Sequence, residues 1–140
     1  MNNKINQFED IDIWKKAVEV AVEIYKESDK GKLAHDFGSK DQIRKSATSI
    51  SNNIAEGFEY NNNKEFVRFL KYSKGSAGEL RSQLHILYKS DYIKKEFYFE
   101  MHDKLILLSQ QIANFIKYLR KFEREKLIKS ITNFLFFFKI

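Results

Sequence analysis

Met101, Leu105, Leu108, Ile112, Phe115, Leu119 and Phe122 follow one another at steps of four and three residues without an error. Only a helix brings such positions to one side, so this segment is expected to be helical with a single apolar seam of heptad type. Nothing elsewhere forbids the same solution: there is no proline, glycine holds five of 140 positions, and Lys, Glu, Leu and Ile are plentiful. Proline and glycine are the residues that interrupt helices at greatest cost, so the whole chain is expected to be all-α. Its length suits one domain with a real core.

Three further helices are legible. Ile13, Trp14, Ala17, Val20, Ala21 and Ile24 predict a first helix over about 11–28, capped by Asp10 or Asp12. After a loop containing Gly31 and Gly38, Ile43, Ala47, Ile50 and Ile54 predict a second, from Ser39 or Asp41 to Phe58. Its apolar stripe is narrow, with Ser46, Ser49 and Asn53 on one flank and Thr48, Ser51 and Ala55 on the other, which lets neighbouring helices come close. Asn61, Asn62 and Asn63 make the clearest turn in the chain and set the second and third helices antiparallel. The third helix runs over about 64–90 with Phe66, Phe69, Leu70, Ser73, Ala77, Leu80 and Leu84 inward. Gly75 and Gly78 lie on its other side, at about 1 kcal/mol each against alanine, and predict a close approach or a bend. Four amphipathic helices with short connections close most simply as an antiparallel, up-down-up-down four-helix bundle.

The apolar rhythm resumes at Leu127, Ile131, Phe134 and Phe138, but only after a step of five through "EREK". This divides the chain into a bundle, 1–122, and a basic then Phe-rich extension, 123–140. Phenylalanine fills four of the five positions from Phe134 to Phe138, a liability in water, so the tail is expected to fold back on its bundle or pack between protomers. A membrane-surface anchor fits less well, because that run is apolar on every side.

Several kinds of chemistry find no candidate residues. With no cysteine there is no disulfide framework, thiolate metal site or cysteine nucleophile. His35, His85 and His102 lie in separate segments without a partner at ligand spacing, and phosphate loops and nucleophile elbows are missing, so no metal, cofactor or catalysis is expected. No signal-type or membrane-spanning run is visible, and the expected location is the cytoplasm.

Charge is more informative. The net charge is +6. On the third helix Lys64, Arg68, Lys71 and Lys89 fall within about 60° of one another, with Gly75, Gly78 and Ser82 along the same line. Glu65 and Glu79 lie off this ridge and weaken it. Lys117, Arg120, Lys121 and Arg124 form a second cluster with Lys126 and Lys129, part of which complements a helix C-terminus. Basic ridges of this kind can meet a phosphate backbone, although the outer face of any hydrated helix is charged. Across the hairpin, residues whose numbers sum to about 122 sit side by side, which predicts an Arg44–Glu79 pair.

The stretches "FEDIDIWKKAVEVAVEIYKES" and "QIRKSATSISNNIAEGFEYNNNKEFVRFLKYSKGSAGELRSQLHIL" resemble the four-helix-bundle proteins encoded in intervening sequences of bacterial 23S ribosomal RNA genes, the S23 ribosomal protein family. The motif positions are Ser49, Ile50, Asn53, Ile54, Ala55, Glu56 and Gly57, then Glu65, Phe66, Arg68, Phe69, Leu70, Gly75, Ser76, Glu79 and Leu80. The resemblance implies an antiparallel four-helix bundle, a homopentamer, no enzymatic activity, and similarity to the accessory protein of diversity-generating retroelements, which binds nucleic acid and a reverse transcriptase. Where the family usually carries a proline this chain has Ser51, which predicts a straighter second helix. The expected function is therefore non-catalytic binding of RNA or DNA through backbone contacts from Lys64, Arg68, Lys71 and the second cluster. The alternative is a protein-interaction scaffold or accessory subunit with no direct nucleic-acid role, its basic face serving an acidic protein partner; Arg44, Ser49, Asn53, Glu56, Gly57, Gly75, Ser76 and Glu79 are expected to hold the bundle or its neighbours in either case.

Overall fold

The computed structural model describes residues 4–139, and within them every regular element is a helix. The four helices are α1 (Asp12–Ser28), α2 (Phe37–Glu59), α3 (Asn63–Lys89) and α4 (Lys95–Phe138), with 3₁₀ turns at Phe8–Asp10 and Gly31–His35. Each helix packs on its neighbours in chain order and α4 returns to α1, so the four surround one apolar core.

Local chemistry sets the ends. The Asp36 side chain accepts from Ser39 N–H at 3.1 Å and starts α2 at Phe37, earlier than Ser39 or Asp41 would. Asn62 does the same for α3, accepting from Glu65 N–H at 3.1 Å, while Asn61 takes the left-handed conformation (φ 51°) that the tight turn needs. The expected cap of α1 is corrected: Asp10 accepts from the N–H groups of Asn6 and Gln7 instead, and Ile11 precedes α1 without a side-chain cap.

The narrow stripe of α2 is fully inside, with Ile43, Ala47, Ile50 and Ile54 all buried. Its Ser49 flank meets α3. Ser49 and Ser76 share a hydrogen bond of 2.8 Å, and buried Ser73 donates to the Ile50 carbonyl at 2.7 Å. A Cβ placed on Gly57 would lie 2.7 Å from Phe69 Cβ, so the two helices come together at this glycine. Asn53 is used inside α2, donating to the carbonyl and hydroxyl of Ser49, and Glu56 is exposed. At the proline-like position Ser51 is buried, donates to the Thr48 carbonyl and leaves α2 unbroken.

The Arg44–Glu79 pair is not formed. The level was right, as the Ile50–Ser73 bond shows, but the face was wrong: Arg44 shares the Thr48 and Ser51 flank, which looks toward α1. There Arg44 Nε donates to Ser28 Oγ at 2.7 Å and its Nη2 to Asp29 at 2.9 Å, over the Tyr25 ring. Among the described residues Glu79 accepts only from Gln83. The expected close approach at Gly75 and Gly78 is also absent, since a Cβ on either would meet nothing within 4 Å. Alanine at each is therefore expected to stabilise the fold by up to about 1 kcal/mol in chemical denaturation, as glycine is the poorer helix former.

The α1–α2 junction carries a pH dependence. Hydrogen bonding from Lys40 first, then the charges of Lys40 and Arg44, hold the Asp29 carboxyl below its ordinary value, and the Ser39 N–H does the same for Asp36. A carboxyl depressed in the folded state stabilises it above the unfolded pKa, near pH 4, and that contribution is lost as pH falls through the folded value. Acid titration of thermal unfolding is expected to show a shallower loss below about pH 4 in Asp29→Asn than in the parent chain.

Tyr98, Met101, Leu105, Leu108, Ile112, Ile116 and Leu119 form the buried side of α4. The seam steps from Phe115 to Ile116 and ends at Leu119, with Phe122 48% exposed, because a straight helix drifts relative to a seven-residue repeat. Beyond it α4 continues unbroken, and residues 120–139 are all exposed. The tail does not fold back on its own bundle: doing so would require a break in α4, and "EREK" contains nothing that breaks a helix.

Candidate nucleic-acid interface

Two segments far apart in sequence meet where α3 begins and α4 leaves the bundle. They enclose an open groove of about 580 Å³ lined by Lys64, Arg68 and Lys71 of α3 and by Arg120 of α4, over an apolar floor of Val67 and Leu119. The spacing of four and three along α3 puts its three cations on one side, and the packing of α4 on α3 brings Arg120 to the same groove.

Two carboxylates share the groove, and both are occupied. Glu65 receives Arg68 Nη2 at 2.6 Å and Nε at 3.1 Å, which holds the guanidinium above its ordinary pKa and fixes its direction. Glu123 accepts from Asn63 Nδ2 at 2.8 Å, tying the start of α3 to α4. Four cations against two carboxylates leave a net charge of +2, with the ammonium groups of Lys64 and Lys71 outside any ion pair among the described residues. Arg68 also lies 5.0 Å from the Phe69 ring and 5.8 Å from that of Tyr72, so its planar group is braced on an aromatic surface.

The remaining expected contacts are not in the groove. Lys89 lies 25 residues along α3 from Lys64, about 37 Å away, with its ammonium beside the Tyr88 ring. Lys117, Lys121 and Arg124 are exposed on α4 beside Arg120 without lining the groove, and Lys121 faces Glu125 at 3.9 Å. Asn63 was read only as part of the turn and Glu123 not at all; they stand 60 residues apart, and no local pattern relates them. His85 bonds the Tyr98 hydroxyl, and among the described residues no three His, Asp or Glu groups are placed to share a metal ion.

The sequence model described as 23S rRNA-intervening sequence protein matches residues 9–114. The chain belongs to this family. Among solved structures, this member is similar to a protein of unknown function from the S23 ribosomal protein family of Bacteroides thetaiotaomicron. The two are 27% identical, with a TM-score of 0.68, covering 75% of this chain and 98% of the other. Comparison with curated proteins gives no match. The family region contains the α3 side of the groove, whereas Arg120 and Glu123 lie beyond residue 114.

Proposed function

We propose that this family member is a non-catalytic, homo-oligomeric four-helix bundle of up-down-up-down connectivity that binds RNA or DNA mainly through phosphate contacts. The observation that carries this reading is the groove: cations from two separate helices converge on it, and its acidic groups are already engaged. Lys64, Lys71 and Arg120 would meet successive phosphates, Arg68 would present a pre-oriented guanidinium, and Lys117, Lys121 and Arg124 would extend the positive field along α4. Neighbour-to-neighbour packing and the antiparallel α2–α3 pair support the connectivity. A homopentamer is the assembly that the family resemblance leads us to expect.

Phosphate-dominated binding has weak sequence preference and steep salt dependence. With four contacts, the logarithm of affinity for a labelled structured RNA is expected to fall against log salt with a slope between about −3 and −4. Fluorescence anisotropy across a salt series measures it, and no binding at low salt would end the proposal. A protein partner captured after nuclease treatment, with no nucleic-acid binding, would favour the scaffold instead.

A further inference from the structure

The nucleic-acid reading makes no use of the end of α4, where the described residues leave their broadest apolar surface uncovered. Every one of the eight large apolar residues between Leu127 and Phe138 is half exposed or more, from 50% at Ile131 to 73% at Phe136 and Phe137. Four rings at about 150–250 Å² each, with four aliphatic side chains, put on the order of 1,000 Å² of apolar surface in water. The largest apolar patch of an ordinary monomer is about 300–600 Å². A stable interface takes about 800 Å² from each partner.

We propose that residues 127–138 of α4 form a self-association helix that packs against the same segment of at least two further copies of this chain. At 100° per residue, Leu127, Ile131, Phe134 and Phe138 fall within about 60°, the stripe of a helix seam. Ile128 and Leu135 widen it on one side and Phe137 on the other, to an arc of about 180° interrupted by Ser130 alone. A two-helix seam covers only the narrow stripe; half a circumference needs a neighbour on each side, hence three or more copies. The opposite face carries Lys129, Thr132 and Asn133, and the Thr132 hydroxyl is already served by the Ile128 carbonyl at 2.9 Å. Phe136 is the exception on that face.

The same features disfavour a lipid surface. Interfacial helices carry rows of Lys and Arg along their polar face, and residues 127–138 contain one charge, Lys129. No helix among the described residues is long and apolar enough to cross a membrane. The segment lies outside the family-matched residues 9–114, so this association belongs to the extension and does not rest on the nucleic-acid reading.

Light scattering on the nuclease-treated full chain is expected to give a mass of three or more protomers. Ile131→Glu with Phe134→Glu alters only exposed positions, so helix content by circular dichroism should be unchanged while the mass falls at least twofold. Lys129→Glu, on the outer face, should leave the mass as it is. A full chain at protomer mass, or a double variant that keeps the parent mass, overturns the proposal. So does a full chain of protomer mass that co-sediments with phosphatidylcholine–phosphatidylserine vesicles, which would make lipid the occupant.

Discussion

Gly57→Val is expected to lower the unfolding free energy by about 3 kcal/mol, the upper part of the range for overpacked helix contacts. The cause is the α2–α3 crossing, where even a Cβ at Gly57 would stand 2.7 Å from Phe69 Cβ and 3.1 Å from Phe66 Cδ1. Phe69 Cβ is anchored to the backbone, so the clash is relieved only by moving a helix. Moving it would strain the Ser49–Ser76 and Ser73–Ile50 bonds, which lie along the same contact. Gly57→Ala separates the two effects of glycine. Alanine gains about 1 kcal/mol in helix propensity, so a net loss of stability in this variant isolates the packing cost. Guanidinium denaturation measures both variants, with Gly75→Ala and Gly78→Ala as the stabilised counterparts. A Gly57→Ala chain as stable as the parent would mean that α2 and α3 part cheaply.

The second large effect concerns the groove. If four cations meet phosphates, raising salt from about 50 to 200 mM should weaken nucleic-acid binding about 50- to 150-fold. In Lys64→Ala/Lys71→Ala/Arg120→Ala only the Arg68 contact remains, and the same salt change should weaken binding only about threefold. The three side chains are exposed and none makes an ion pair among the described residues, so the fold should tolerate their loss. Lys89→Ala, at the far end of α3, is the control that should leave the salt slope unchanged. A triple variant retaining the parent slope would move the nucleic-acid surface away from the groove.

How far these features could be seen beforehand follows the range of the forces involved. Asn62 as the cap of α3 and Asn61 in the turn were legible, because capping and left-handed turns depend on neighbours within a few residues. The cap of α1 was not, because Asp10 had a competing use in the 3₁₀ turn before it. On α2 both small flanks were recognised, but which flank faced α1 and which faced α3 was open, and Arg44 was assigned across the wrong one. Half of the groove was visible as the Lys64, Arg68 and Lys71 ridge; that Arg120, and neither Lys89 nor Lys117, completes it was not.

The sequence by itself determined that this chain is helical, where its helices turn, and which stripe of each is apolar, because hydrogen bonding, capping and 3.6-residue periodicity act within a few residues. Only the tertiary structure decided which cations converge, which carboxylates are already taken, and that α4 leaves the bundle after Leu119. Those outcomes depend on the rotation and register of one helix against another. They are set by contacts such as Gly57 on Phe69 and Asn63 on Glu123, between residues 12 and 60 positions apart.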